Sequence, residues 1–204
     1  MSSILYSFRR CPYAMRARMA LMYSQINIEH REILLKDKPV SMLQYSVKGT
    51  VPVLVVADKV IDESLDVMYW ALNQNDPENW LLNGDDLQQE MLKLIHISDT
   101  EFKPLLDKYK YSDRYELNEE QYREDAEWFL SMLEQKLRDH DQLINNYISL
   151  ADVAVFPFVR QFAFVNKQWF DNNKYTSLQN WLDRHLKSTL FQSIMQKHVL
   201  WRDN

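Results

Sequence analysis

The feature that most constrains the fold is a change of sequence pattern near residue 73. Before it, short apolar or alternating runs typical of strands take turns with helical segments, in the order βαβαββα. From Leu87 onward nearly every segment has helical periodicity. This organisation predicts an α/β domain over residues 1–74, a linker over 75–86 and an all-helical domain over 87–204.

The predicted elements can be placed along the chain from periodicity, capping residues and turn formers. In the first half we expect strands and helices at Ile4–Ser7, Pro12–Ser24, Ile26–Leu34, Pro39–Tyr45, Val51–Val56, Lys59–Ile61 and Ser64–Asn73. In the second half we expect helices at about 87–109, 118–140, 149–164 and 176–197, the last broken near Ser188.

Composition excludes several classes of protein. Of the 204 residues, 46% are hydrophobic and 26% charged, which supplies a real core, and the net charge of −5 makes nucleic acid or an anionic membrane an unexpected partner. No apolar run approaches the length of a membrane span. The arginines of MSSILYSFRR follow its apolar residues, the reverse of a secretory signal, so we expect a soluble cytoplasmic protein.

Glycine, cysteine and histidine are used in ways that argue against common cofactor sites. Gly49 and Gly84 are the only glycines, whereas phosphate loops and dinucleotide fingerprints need clustered glycines. A single cysteine excludes an intrachain disulfide and any multi-cysteine zinc site. The five histidines show no ligand-like spacing. We therefore expect neither a metal ion nor a permanently bound cofactor.

The single cysteine, Cys11, lies in the sequence RRCPYAMRAR at the start of a predicted helix. Pro12 suits the first helical position, which makes Cys11 the N-cap or its neighbour. Unpaired backbone N–H groups, the positive end of the helix dipole, and the flanking Arg9 and Arg10 all favour a thiolate over a thiol. The alternative is an inert buried cysteine, which is common among cysteines outside disulfides. The local context favours a reactive thiolate.

A second cysteine is absent from the position where a dithiol site would have one. Ala14 occupies the fourth position of Cys-Pro-Tyr-Ala, so a substrate attacked by Cys11 stays bound as a mixed disulfide until another thiol releases it. That thiol has to come from outside the protein. The pattern predicts a thiol cosubstrate, for which glutathione is the candidate.

These residues resemble a known family over most of the chain. The βαβαββα half followed by helices, with C-P-Y-A, T-V-P and E-S in order, is similar to the cytosolic glutathione transferases. Within them the chain most resembles the cysteine-type branch, which includes the omega class and the two-domain bacterial glutaredoxin. The resemblance implies a thioredoxin-like first domain and a glutathione-dependent thiol transferase. Cys11 would attack the sulfur of a glutathionyl mixed disulfide or of a glutathione conjugate.

The resemblance also assigns glutathione-binding roles. Pro52 matches the family's cis-proline, and the backbone of Val51 would pair with the cysteinyl unit of glutathione as an added strand does. Glu63 and Ser64 match the pair that holds the γ-glutamyl end, where a carboxylate suits the ammonium group and a helix N-terminus suits the carboxylate. Lys38 resembles an omega-class lysine that contacts the far end of the tripeptide; a solvated lysine is the alternative.

Two other hydroxyl groups compete with the thiol for the catalytic role. Other classes of the family use a Tyr or Ser near the end of the first strand, where Tyr6 and Ser7 lie, although Arg10 occupies the position of the usual serine. Catalysis by either hydroxyl would make the protein a conjugating transferase that acts on electrophiles. A third possibility is a non-catalytic member that binds a protein partner.

The resemblance places a second substrate between the two domains and implies a homodimer, although the two-domain glutaredoxin is a monomer. Aromatic side chains that could contact that substrate are Tyr13, Phe102, Tyr109, Tyr111 and Tyr115. Packing within the core is the alternative role for many of them.

A capping motif marks the start of a buried helix in the second half. In I-S-L-A-D-V, Ser149 suits the N-cap and Asp152 the residue that bonds back to it, with Ile148 and Val153 placed as a hydrophobic staple. The following VAVFPFVRQFAF is apolar on nearly all sides and predicts a buried helix bent at Pro157.

Overall fold

The structure is a computed structural model that describes residues 3–57 and 59–203. The chain divides into two compact units, which are described separately below. Of the described residues, unit one holds 3–57, 59–78 and 188–203, and unit two holds 79–187. The sequence assigned the whole of 87–204 to the helical domain, whereas the structure groups the segment after 187 with the first unit.

Unit one is built on a four-stranded mixed sheet. The strands are β1 (Ser3–Ser7), β2 (Ile28–Glu32), β3 (Val53–Val56) and β4 (Lys59–Ile61), arranged in the order β2-β1-β3-β4. β1 pairs parallel with β2 and antiparallel with β3, which pairs antiparallel with β4. Central strands β1 and β3 carry the largely apolar runs, as expected for strands covered on both faces. This is the predicted thioredoxin-like α/β arrangement.

Four helices complete unit one: α1 (Pro12–Tyr23), α2 (Val40–Tyr45), α3 (Ser64–Gln74) and α10 (Thr189–Ile194). Helices α1 and α3 pack against each other, and α10 packs against α1. α10 starts after Ser188, whose side chain caps it, which is the predicted break. Because α10 contacts α1, the C-terminal segment belongs to unit one rather than to the helical unit.

The residues after α10 continue along the outer edge of the sheet. The Trp201 N–H donates to the Glu32 carbonyl at 2.8 Å. The Trp201 ring meets the Tyr6 ring edge-on at 5.6 Å, and the Arg31 guanidinium lies 4.2 Å from the Trp201 ring centre. The exposed edge of β2 is thereby partly paired and covered, which is a common way to protect an edge strand.

Unit two is entirely helical in its regular structure. Its helices are α4 (Asp85–Ile97), α5 (Lys103–Lys110), α6 (Glu119–Asp139), α7 (Leu150–Ala163), α8 (Lys167–Asp171) and α9 (Thr176–Lys187). The predicted continuous helix over 87–109 contains a π-helical segment, Ser98–Phe102, between α4 and α5. The short helix α8 was missed by the sequence analysis, because five residues are too few for a periodicity signal. No helix in 3–57 or 59–203 has both the length and the apolarity that crossing a membrane requires.

Asp152 lies at the centre of a buried hydrogen-bond network in unit two. Its Oδ2 accepts the Ser149 N–H and the Ser149 hydroxyl, both at 2.9 Å, as the capping motif predicted. Its Oδ1 accepts the Leu143 N–H at 2.9 Å and the Trp181 indole N–H at 3.0 Å. The carboxylate is fully buried. It therefore joins the start of α7 to the preceding loop and to α9.

Titration of His185 should make the stability of the protein depend on pH. Its Nε2 lies 3.1 Å from Gln142 Oε1, which also accepts from the Trp181 indole of the same network. Burial lowers the pKa of His185 to about 4, while the Asp152 charge raises it and Arg184 lowers it. Between that pKa and the unfolded value of about 6.5 the unfolded chain binds more protons, so stability is expected to fall as pH drops from about 6.5 to about 4. The measurement is the melting temperature of wild type and His185→Gln across this range.

A matched control for the pH experiment is the exposed His140, whose replacement by glutamine should leave the pH dependence unchanged. An equal acid slope in wild type and His185→Gln would contradict the prediction. The His185 ring is held by Phe156 and Trp181, so the comparison uses the slope with pH rather than the absolute melting temperature.

Candidate active site

Cys11 is the N-cap of α1 and is half-buried. Its backbone has extended dihedral angles, and Pro12 is the first helical residue, as predicted. The Cys11 N–H donates to the Phe8 carbonyl at 3.0 Å, which closes a turn between β1 and α1. The sulfur therefore sits at the positive end of α1, where a negative charge is stabilised.

A buried arginine lies beneath the turn that leads to Cys11. Arg18 donates from Nη1 to the Ser7 hydroxyl at 2.5 Å and from Nη2 to the Arg9 carbonyl at 2.8 Å. Burial lowers the pKa of Arg18 to about 10, while the charges of Glu32 and Cys11 raise it and that of Arg9 lowers it. The guanidinium thus remains cationic at neutral pH and interacts favourably with a Cys11 thiolate.

The turn directly before β3 brings Val51 and Pro52 to the thiol. The Val51–Pro52 peptide bond is cis, as the resemblance implied. The Cys11 Sγ lies 3.7 Å from the Val51 carbonyl oxygen, and both Val51 and Pro52 are buried. Residues forty positions apart in the chain therefore meet at the sulfur.

Glu63 and Ser64 form the start of α3, with Glu63 as N-cap. Ser64 is buried, and its Oγ accepts from Arg16 Nε at 3.0 Å. Glu63 is exposed, and its carboxylate accepts from Lys48 Nζ at 2.7 Å. The hydrogen bond to Glu63, followed by one to Asp62, raises the pKa of Lys48. Of the predicted pair, Glu63 thus presents its carboxylate to solvent, and the Ser64 hydroxyl is hydrogen-bonded to Arg16 of α1.

Lys38 is exposed and follows the short segment after β2. Gly49 has the positive φ of 62°, and a Cβ atom placed there would lie 3.4 Å from Lys38 Nζ. The lysine side chain therefore reaches toward the turn that leads to Val51.

The two competing hydroxyl groups are both fully buried. The Tyr6 hydroxyl accepts from Arg31 Nη1 at 2.7 Å and lies 3.0 Å from Ser41 Oγ. The Ser7 hydroxyl accepts from Arg18. Each hydroxyl is therefore engaged within unit one, whereas Cys11 keeps part of its surface exposed.

The aromatic residues suggested for a second substrate have different environments. Tyr13 is half-buried beside Arg16, whose guanidinium lies 5.2 Å from its ring centre. Phe102 and Tyr109 are buried in unit two, where Phe102 stacks on Phe129 at 4.3 Å and Tyr109 contacts Phe162 at 4.7 Å. Core packing, the alternative considered from the sequence, is the role that these contacts support for Phe102 and Tyr109.

Three cations near this site were not identified from the sequence. Arg16 and Arg18 lie within a helix whose sequence suggests that its charged side chains face solvent, yet both are buried. Lys48 precedes the cis-proline turn without any motif of its own. Their partners are distant in sequence, so only the folded chain reveals them. Among the residues that the structure describes, no group of three or more His, Cys, Asp or Glu is placed to hold a metal ion.

Comparison with family models identifies the class of protein. Residues 5–80 match the glutathione S-transferase N-terminal domain, and residues 115–184 match the glutathione S-transferase C-terminal domain. The two matches cover both units and most of the chain. The protein belongs to the glutathione transferase superfamily.

Individual relatives agree with this assignment. The chain is 27% identical to glutathione S-transferase omega-1 of Mus musculus over 95% of its own length and 76% of the relative's. It is 28% identical to glutathione S-transferase U22 of Arabidopsis thaliana over 80% and 75% of the two chains. A glutathione transferase family member from Pseudomonas fluorescens, solved with two glutathione molecules bound, has the same fold, with a TM-score of 0.83 at 14% identity and coverage of 95% and 92%.

Proposed function

We propose that this protein is a glutathione-dependent thiol transferase that acts through the thiolate of Cys11. The observation that carries the proposal is the position of Cys11: it is half-buried at the N-cap of α1, beside the cis-proline turn, and it interacts electrostatically with the cationic Arg18. The two hydroxyl groups that would serve a conjugating enzyme are buried and hydrogen-bonded. The glutathione bound to the Pseudomonas relative supports the cosubstrate.

Glutathione would bind along the edge formed by the cis-proline turn and the start of α3. The Val51 backbone would pair with the cysteinyl unit, and the N-terminus of α3 with Ser64 would receive the γ-glutamyl carboxylate. Glu63 would bind the ammonium group, exchanging part of its contact with Lys48. Lys38 would contact the far end of the tripeptide. We also propose that the protein takes a second substrate, a small molecule or a glutathionylated compound, and that it forms a homodimer.

The chemistry is two thiol–disulfide exchanges in sequence. The Cys11 thiolate attacks the glutathione sulfur of a mixed disulfide; the Cys11–glutathione disulfide bond forms, and the other thiol leaves as a thiolate and takes a proton. A second glutathione, as its thiolate, attacks the bound glutathione sulfur. Oxidised glutathione then leaves and Cys11 returns to the thiolate. In the sum of the two steps, the substrate sulfur is reduced to a thiol and one molecule of reduced glutathione is oxidised; the other half of the oxidised glutathione comes from the mixed disulfide.

The test is the intact mass of the wild-type protein after incubation with oxidised glutathione. We expect addition of one glutathionyl group, on Cys11, and its complete removal by reduced glutathione. The Cys11→Ser variant is the control and should stay unmodified. A wild-type chain that stays unmodified at neutral pH would overturn the proposal.

A further inference from the structure

Two buried side chains of opposite charge hold the backbone of one residue, Arg9, near the thiol. The Arg9 N–H donates to Glu32 Oε1 at 2.6 Å, and the Arg9 carbonyl accepts from Arg18 Nη2 at 2.8 Å. Arg9 lies two residues before Cys11. Both partners are buried, Arg18 on α1 and Glu32 at the end of β2. The backbone that leads to the sulfur is thus bound at both its donor and its acceptor.

We propose that Arg18 and Glu32 are positioning residues for Cys11: they fix the two peptide groups that flank Arg9, and they contribute to the electrostatic potential at the sulfur with opposite signs. The inference rests on the proposed role of Cys11 and adds residues that the mechanism above does not require. Arg18 favours the thiolate because it is a cation in a buried site, where charge interactions are weakly screened. The negative charge of Glu32 disfavours the thiolate and partly neutralises the positive charge of Arg18.

The geometry explains why both charges are tolerated in a buried place. Arg18 also donates to the Phe8 carbonyl at 3.3 Å and to the Ser7 hydroxyl, so the cation is hydrogen-bonded to three successive residues, from the end of β1 into the turn. Burial raises the pKa of Glu32, but the hydrogen bonds from His30 and from the Arg9 N–H outweigh it and leave the pKa below its usual range. Both groups are therefore charged at neutral pH.

Other ionisable groups around this pair have to be considered in any pH experiment. They come from the turn, from α1, from β2 and from the C-terminal segment, where the His198 ring stacks on the His30 ring at 3.9 Å. Burial, followed by the charge of His30, lowers the pKa of His198. The ionisable groups in this turn or in contact with the pair are Arg9, Arg10, Arg18, His30, Glu32 and His198.

The experiment measures the rate of Cys11 alkylation by iodoacetamide as a function of pH, without glutathione. In Arg18→Met we expect the profile to move to higher pH, so that at pH values below the Cys11 pKa the rate falls about tenfold, the change in thiolate fraction that one pKa unit produces there. Arg18→Lys should recover most of that rate because it restores the charge. Glu32→Gln should shift the profile the opposite way, toward lower pH, because it removes the nearby anion.

Each outcome decides between an electrostatic and a purely structural role. Loss of packing alone would make Arg18→Lys and Glu32→Gln slower together with Arg18→Met, and that result would overturn the proposal. An unchanged profile in a folded Arg18→Met would also overturn it. If Arg18→Met fails to fold, the other two variants still decide the matter. The proposal expects a profile close to wild type for Arg18→Lys and a profile shifted to lower pH for Glu32→Gln, whereas a purely structural role predicts a slower reaction in both.

The matched control is Arg160→Met, which removes another largely buried guanidinium, in α7 of unit two. Its alkylation profile should equal that of wild type. Since iodoacetamide needs no glutathione, the outcome is separate from the proposed function: Cys11 can respond to Arg18 even if it never forms a disulfide with glutathione. The converse result, disulfide formation with an unchanged Arg18→Met profile, would reject this inference alone.

Discussion

Replacing Cys11 with serine is expected to reduce thiol transfer to the uncatalysed background. A serine hydroxyl is not appreciably ionised near neutral pH, and it cannot form a disulfide with glutathione. The measurement is the rate of reduction of a glutathionylated substrate by glutathione, wild type against Cys11→Ser. The same assay on Tyr6→Phe is the control, and that variant should keep most of the wild-type rate.

Glutathione binding should survive the Cys11→Ser substitution. The groups proposed to hold the peptide are the Val51 backbone, Glu63 and Ser64, none of which depends on the sulfur. Calorimetric titration with reduced glutathione should therefore still show binding. Wild-type activity in Cys11→Ser would reject the thiolate mechanism and make Tyr6 and Ser7 the groups to test. Loss of binding together with activity would show that the peptide contacts are wrongly assigned.

Replacing Asp152 with alanine is expected to destabilise the protein by about 3–5 kcal/mol, far more than a missing helix cap alone. The carboxylate accepts four hydrogen bonds from Leu143, Ser149 and Trp181 in a fully buried position. The alanine variant leaves buried donors without their acceptor and a space where the side chain was. Urea denaturation followed by helical circular dichroism measures the change.

The matched variant is Ser149→Ala, which removes one hydroxyl from the same network and keeps the Asp152 carboxylate. It should cost only about 0.5–2 kcal/mol, the usual value of a lost N-cap. Both variants, where folded, should alkylate Cys11 at the wild-type rate, because the network lies in unit two. Equal destabilisation by the two substitutions would contradict the central role of Asp152.

The elements of unit one were largely predictable because local rules decide them. Pro12 marks the start of α1, and Ser188 marks the start of α10. Strands β1 and β3 are recognisable because their short apolar runs are typical of strands buried in a sheet. The cis bond at Pro52 came from the family resemblance rather than from local pattern. Boundaries were less exact: the strand expected at Ile26–Leu34 spans Ile28–Glu32, since alternation continues past the last paired residue.

Asp152 shows how much of a site a local motif can contain. The bond from Asp152 back to Ser149 is a short-range feature, and the spacing of three residues predicts it. The bonds from Leu143 and Trp181 depend on how the preceding loop and α9 pack around α7. The motif therefore predicts only an ordinary helix cap, whereas in the folded unit the same Asp152 carboxylate also accepts hydrogen bonds from Leu143 and Trp181.

The sequence by itself determined the thioredoxin-like order of strands and helices and the place of Cys11 at a helix start, because periodicity and capping act over a few residues. Only the tertiary structure decided what surrounds that thiol. Arg18 and Glu32 lie on different elements and meet at Arg9, because β1 pairs with β2 and because Arg18 of α1 is hydrogen-bonded to the end of β1. The tertiary structure also decided that the C-terminal segment joins unit one, through the hydrogen bond between Trp201 and Glu32. Contacts between distant residues depend on packing, and no local pattern encodes their partners.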